Sequence, residues 1–217
     1  MFLRGIVQNF IAVFKGKNLL WHVLAIVLTA VLVFSGADWA FFEHTRSGIF
    51  RFLIWSAGIG GFFVPFIVPI ALYFWGEFRR DRRLMDMGAA VGQAAVIAYV
   101  VSSIYKAFTG RMQPEFLTNY SSVDITRDFH FGFWQNGIFW GWPSSHTAVA
   151  FAAAFVFVFL ARNVAMRVIA IVYAVFIAIG AGIGFHWLSD VVAGALFGIL
   201  IAMIVTQRAS PLVTRRL

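Results

Sequence analysis

Two histidines and an aspartate stand at the ends of long apolar runs: His146 in Pro143-Ser144-Ser145-His146, and His186 with Asp190 four residues on. Ionisable groups in such positions read as a functional site, because each is costly to keep beside hydrocarbon. A histidine titrates near neutral pH and serves as a nucleophile or as a general acid. A carboxylate one helical turn away, in the i, i+4 relation, can hold its ring in one tautomer. Lys106 and Arg111 come earlier in the chain, and Ser144 and Ser145 open the apolar run after Pro143. Two cations and the unpaired N–H groups of a helix start suit a phosphate, whose oxygens need donors and positive charge. In this chemistry His186 attacks phosphorus, Asp190 orients it, and His146 protonates the departing alkoxide.

The elements that must position these groups are membrane helices. Of the 217 residues 61% are hydrophobic and only 12% charged, against about a quarter charged in soluble domains, so the chain reads as an integral membrane protein. Apolar runs suited to a hydrocarbon layer of roughly 30 Å occur at Leu19 to Gly36, Phe50 to Trp75, Gly88 to Tyr105, Thr147 to Ala161, Val164 to Gly184 and Trp187 to Thr206. The expected fold is therefore an all-α bundle of six transmembrane helices in a single domain, 1–217. Pro65 and Pro69 kink the second helix. Residues 1–17 alternate apolar with polar positions at a helical period and suit a helix lying in the interface. A cleavable signal peptide is the competing reading, but no small-residue cleavage site follows Gly36 convincingly, so the segment is expected to stay in the mature protein.

With both termini on one side, that side holds twelve of the seventeen lysines and arginines, including Arg79, Arg80, Arg82 and Arg83. The positive-inside tendency then makes the termini cytoplasmic and turns the loops carrying His146 and His186 outward, toward the periplasm or exterior of what reads as a bacterial inner membrane. The net charge of +8 is thus accounted for by membrane topology, and nucleic-acid binding is excluded as a reading. Lys106, Arg111, Ser144, Ser145, His146, His186 and Asp190 all fall on the outer face, and such convergence of separate segments is the strongest internal evidence for a site. The long outer loop, 106–143, carries part of that site. Its aromatics, Phe129 to Trp142, place it at head-group depth.

The order of these residues resembles the type 2 phosphatidic acid phosphatase (PAP2) superfamily, whose motifs read Lys-x6-Arg-Pro, Pro-Ser-Gly-His and Ser-Arg-x5-His-x3-Asp. Here the first runs from Lys106 to Gln113-Pro114, the second is Pro143-Ser144-Ser145-His146, and the third is Ile179-Gly180-x5-His186-x3-Asp190. The resemblance covers roughly Gly88 to Thr206. It implies a membrane lipid phosphatase with His186 as nucleophile, Asp190 as its partner and His146 as acid. Motifs one and three diverge: Gln113 and Gly180 stand where the family has arginines, and Ser145 replaces a glycine. Arg111, two residues before Gln113, is expected to cover the same phosphate oxygens, and Arg127 or His130 to supply a second cation. The glycines Gly180, Gly182 and Gly184 are expected to leave space where the family's arginine sits.

The functional expectation is removal of phosphate from a lipid phosphate or lipid diphosphate at the outer leaflet, through a phosphohistidine on His186. Lys106, Arg111, Ser144, Ser145 and Gln113 would hold the phosphate. No metal or other cofactor is called for, since the sequence shows no ligand cluster, and the chain has no cysteine. Two rival readings remain: a phosphotransferase using the same histidine with an acceptor other than water, and a non-catalytic lipid-phosphate binding or transport protein. Undecaprenyl diphosphate, phosphatidylglycerophosphate, phosphatidic acid and a lipid A phosphate all fit the substrate description. His22, His44 and His130 read as interfacial histidines with a water or carbonyl partner, and Gly180, Gly182, Gly184, Gly194 and Gly198 as close helix packing rather than ligand contacts.

Overall fold

The computed structural model describes residues 5–45, 50–114 and 123–214, and these are helices and their connections without a strand. In chain order the helices are α1 (Ile6–Val13), α2 (Leu19–Phe34), α3 (Ala37–Thr45), α4 (Phe50–Phe78), α5 (Arg82–Thr109), α6 (Ser145–Leu160), α7 (Val164–Gly184) and α8 (Leu188–Thr214). Segments Gly16–Phe34, Phe52–Phe78, Arg82–Thr109, Val164–Gly184 and Leu188–Arg208 are long and apolar enough to cross a membrane. The chain is an integral membrane protein. Helix α6 has 16 residues, about 24 Å at 1.5 Å per residue, short of the five others and enclosed by α5, α7 and α8.

Local chemistry sets the helix ends that matter for the site. The Asp81 carboxylate accepts from the Arg83 and Leu84 N–H groups (2.9 and 3.3 Å) and starts α5 earlier than its apolar run does. At the other end Gly110 adopts a left-handed conformation (φ 49°) that L side chains rarely adopt. The turn sends Arg111 inward. Ser144 caps α6, its Oγ accepting from the Thr147 N–H and hydroxyl, and Asn163 caps α7.

The centre of the bundle is the α6–α8 pair, packed through small residues. Ala148, Ala152 and Ala153 on α6 are buried, and Gly194 and Gly198 on α8 bring its backbone against them. A Cβ at Gly194 would lie 2.6 Å from the Ser144 carbonyl oxygen, and one at Gly198 as near to that of Ala148. The expected close packing at these glycines is therefore found, the small-xxx-small geometry of membrane helix pairs. Helix α4 runs through Pro65 and Pro69 without interruption and packs on α5 and α7.

Three features were not visible in the apolar runs. The short helix α3 follows α2 directly and carries a buried acid, Asp38. Helix α1 docks on α5 and α8, with Val13 buried and Asn9 donating to Gln93 (3.1 Å), so its inner face meets protein while Val7 and Ile11 stay exposed. Two tryptophans are internal rather than part of a lipid-facing belt: Trp142 donates to Thr29 Oγ1 (2.8 Å) and Trp187 to the Met112 carbonyl (2.8 Å).

Candidate active site

Phe185, His186 and Trp187 join α7 to α8 and turn His186 into the protein. The ring is buried, and its Nδ1 faces Asp190 Oδ2 at 3.2 Å and the Gln113 side-chain amide nitrogen at 2.9 Å. Its Nε2 has no hydrogen-bond partner among the described residues. Asp190 also accepts from the Trp187 N–H (3.2 Å), so Oδ2 is directed at the His186 end of the turn. Burial first, and the nearby Lys106 ammonium second, push the His186 pKa down to about 4. The ring is neutral at physiological pH, as a nitrogen nucleophile must be.

Helix α6 brings the second histidine. The Ser144 N–H donates to the Asp190 carbonyl (3.0 Å), which ties the start of α6 to the first turn of α8. His146, two residues on, stacks on Phe185 with centroids 6.0 Å apart and planes 15° from parallel. His146, Lys106 and Asp190 are the charged or titratable neighbours whose fields reach His186. Ser145 Oγ accepts from Ser102 (2.9 Å). The Ser145 and His146 N–H groups belong to the first helical turn, which has no intrahelical acceptor for them. Lys106 is buried and spends one donor on the Phe139 carbonyl (3.1 Å), leaving two.

Arg111 departs from expectation. All five of its N–H groups are engaged: Nε and one Nη2 proton by the Thr126 carbonyl (3.2 and 2.7 Å), the other Nη2 proton by Asp38 Oδ2 (2.8 Å), and the Nη1 protons by Ser189 Oγ (2.7 Å) and Asp190 Oδ1. Guanidinium has no sixth donor, so a phosphate contact from Arg111 is closed off in this structure. Its fork is filled by carboxylates belonging to the protein itself. Gln113, at the family's arginine position, meets the His186 ring instead of an open anion site. Ser144 is buried and acts as the α6 cap.

The expected replacements for the missing arginines are also absent from the centre. Arg127 lies over the Phe34 ring (5.5 Å), beside a groove between α2 and the outer loop. His130 is exposed. No space is left at Gly180, because a Cβ there would lie 2.1 Å from the Ala57 Cβ and 2.9 Å from the Leu53 carbonyl oxygen of α4. A Cβ at Gly184 would lie 2.7 Å from Ile54 Cγ2. Among the described residues Lys106 is thus the cation of the centre with donors to spare. His22 and His44 do find carbonyl partners, Val13 and Ala40, but His22 is buried and also bonds Tyr105 (2.5 Å). Asp38 was not singled out from the sequence, where it sits two residues past the end of the first apolar run at Gly36 with no motif around it.

Beside His146 a cavity of about 250 Å³ runs between α4, α5 and α6, lined by Gly61, Phe62, Phe66, Tyr99, Ser145 and Val149 as well as the histidine. Its wall is mostly apolar, with His146 and Ser145 as part of the lining.

Residues 87–212 match the sequence model of the PAP2 superfamily. The chain belongs to the PAP2 superfamily. The matched region begins within α5 and so takes in Lys106, His146, His186 and Asp190 of this PAP2 protein, but not Asp38. Its fold is similar to that of a transmembrane PAP2 type phosphatidylglycerolphosphate phosphatase from Bacillus subtilis, with a TM-score of 0.61 and 20% identity over 92% of this chain and 99% of that one. No curated protein matches the sequence.

Proposed function

We propose that this PAP2 protein is a membrane-embedded lipid phosphatase that works through a phosphohistidine on His186. The observation that carries the reading is the His186 ring itself: Nδ1 faces the Asp190 carboxylate, Nε2 has no partner among the described residues, and His146 and Lys106 stand close by. With the proton on Nδ1 donated to Asp190, and the Gln113 amide turned so that its oxygen rather than its N–H faces the ring, the Nε2 lone pair attacks phosphorus and the P–O bond to the lipid breaks. His146 gives a proton to the leaving oxygen. In the second half His146 takes a proton from water, the water oxygen attacks the phosphohistidine, and inorganic phosphate leaves with His186 restored. Lys106, Ser145 and the first N–H groups of α6 hold the phosphate oxygens through both steps.

A lipid substrate is supported by the mostly apolar cavity that His146 helps to line, since a tail lying between α4 and α5 would bring its phosphate to the histidines. A phosphatidylglycerophosphate-like substrate is consistent with the activity named for the Bacillus subtilis structure. The active centre faces the outer leaflet in this proposal, the orientation favoured by the distribution of basic residues. The whole chain serves as a single domain with six crossings, α6 being the sixth, and residues 1–17 lie along the interface.

Purified protein in detergent or liposomes should release phosphate from one or more of phosphatidylglycerophosphate, phosphatidic acid and undecaprenyl diphosphate. Acid-labile, base-stable label should appear on the wild type during turnover of a labelled substrate and be missing from His186→Gln. A second reading, non-catalytic binding of a lipid phosphate, is favoured by one observation, the commitment of Arg111 to internal carboxylates. Binding of these lipids without any phosphate release by wild type would select it.

A further inference from the structure

We infer that Asp38 of α3 is a positioning residue for His186, acting through Arg111, Ser189 and Asp190. The inference deepens the proposed phosphatase reading and rests on His186 as its nucleophile. Asp38 is fully buried and faces three donors: the Ser189 N–H on Oδ1 (2.8 Å), and the Ser189 hydroxyl (2.5 Å) and Arg111 Nη2 (2.8 Å) on Oδ2. Through Ser189 it closes the first turn of α8, the turn that contains Asp190. Through Arg111 it fixes the guanidinium whose other fork nitrogen holds Asp190 Oδ1.

Asp190 therefore has one oxygen clamped, and the orientation of the second, which meets His186 Nδ1, follows from that clamp. Arg111 cannot swing to substrate without leaving two carboxylates unpaired in a dry interior, a strongly unfavourable change. Asp38 and Asp190 hold different terminal nitrogens of one guanidinium, both with side chains at 0% exposure. A simple staple between α3 and α8 would need only one such contact. Here the two carboxylates and the serine converge on the group that sets the tautomer of the attacking ring, the same logic by which outer partners tune ligating or catalytic histidines.

The experiment uses the full-length protein in detergent with the lipid phosphate it turns over best. Asp38→Asn keeps the shape but turns an amide N–H toward at least one of the three donors. Its kcat should fall by roughly 10- to 100-fold, the range typical of outer hydrogen-bonding partners, while KM changes by less than about threefold because Asp38 does not touch substrate. Asp38→Glu, which keeps the acceptors, should recover part of the loss. In an Asp190→Asn background Asp38→Asn should cost no more than about a further twofold, since the two act in one chain.

Independently of turnover, nitrogen NMR of labelled histidine, with His186 assigned by difference against His186→Gln, should show the wild-type ring proton on Nδ1. In Asp38→Asn it should move toward Nε2. A wild type that releases no phosphate defeats the phosphatase reading but leaves the ring measurement to decide the positioning role. An unchanged ring signal in Asp38→Asn overturns the inference, as does wild-type kcat in that variant, a KM rise as large as the kcat loss, or losses that multiply in the double variant.

Discussion

In the proposed mechanism the histidine pair divides the chemistry between a ring with a bound orientation and a ring with a cavity beside it. His186→Gln should abolish turnover and leave the folded protein intact; phosphate release near the wild-type rate would rule out the nucleophile assignment. His146→Ala should lose about 10²- to 10⁴-fold, and less on an aryl phosphate than on an alkyl phosphate because the better leaving group needs no acid. The buried state of His186 also sets a pH dependence. Its pKa is lowered from 6.5 to about 4, so the nucleophile stays unprotonated until the pH falls near 4. The acid limb of kcat/KM assigned to His186 should therefore lie near 4, and a limb at 6.5 that persists in His146→Gln would contradict it. The sign for stability agrees: the unfolded chain takes up this proton first, so the contribution is complete above 6.5 and is lost as pH falls from there toward 4. Arg111 supplies the counter-case to its sequence expectation. Arg111→Met should lower stability by about 3–5 kcal/mol, as when one partner of a buried ion network is removed. Adding Gln113→Arg should not rescue it, because position 113 meets the His186 ring and not the Asp38–Asp190 pair.

At the scale of elements, the site depends on how nearly α6 and α8 touch. Gly198→Leu should force them apart at the Ala148 carbonyl and cost about 1–3 kcal/mol or more, read as a lower thermal midpoint in detergent. Gly194→Ala acts closer to the centre, at the Ser144 carbonyl, and should reduce activity more than its effect on the midpoint would imply. These two helices were legible in the sequence because long apolar runs and the glycine spacing report packing in lipid. The gathering of His146, His186 and Asp190 at one end of the bundle was legible too, since ionisable groups at the ends of apolar runs are costly and stand out. Helix α3 was not legible: nine residues with mixed polarity have neither the length nor the period to stand out. The destination of Arg111 was hidden for a related reason. Sequence spacing put it two residues from a family arginine, but only the left-handed turn at Gly110 and the partner on α3 decide which way a long side chain points.

For the molecule as a whole, the distribution of basic residues predicts a sidedness that labelling can check. The chain has no cysteine, so Asp128→Cys on the exposed outer loop and Arg82→Cys at the α4–α5 turn each carry a single thiol. In intact cells a membrane-impermeant maleimide should label the first and not the second. The reverse pattern would put the catalytic centre in the cytoplasm. The Arg111–Asp38 ion pair carries a consequence for biogenesis. Asp38 is made before α4 and α5, whereas its partner Arg111 and the Asp190 that shares it emerge later, so the centre cannot close until the last helix has been threaded in. A chain severed in the turn between Arg79 and Arg82 would leave the carboxylate on one fragment and the guanidinium on the other. Neither piece alone should turn over substrate. The fragments 1–80 and 81–217, made together in one membrane, should find each other through that charge pair and the α4–α5 contact and regain activity, whereas Asp38→Asn on the first fragment should weaken their reunion.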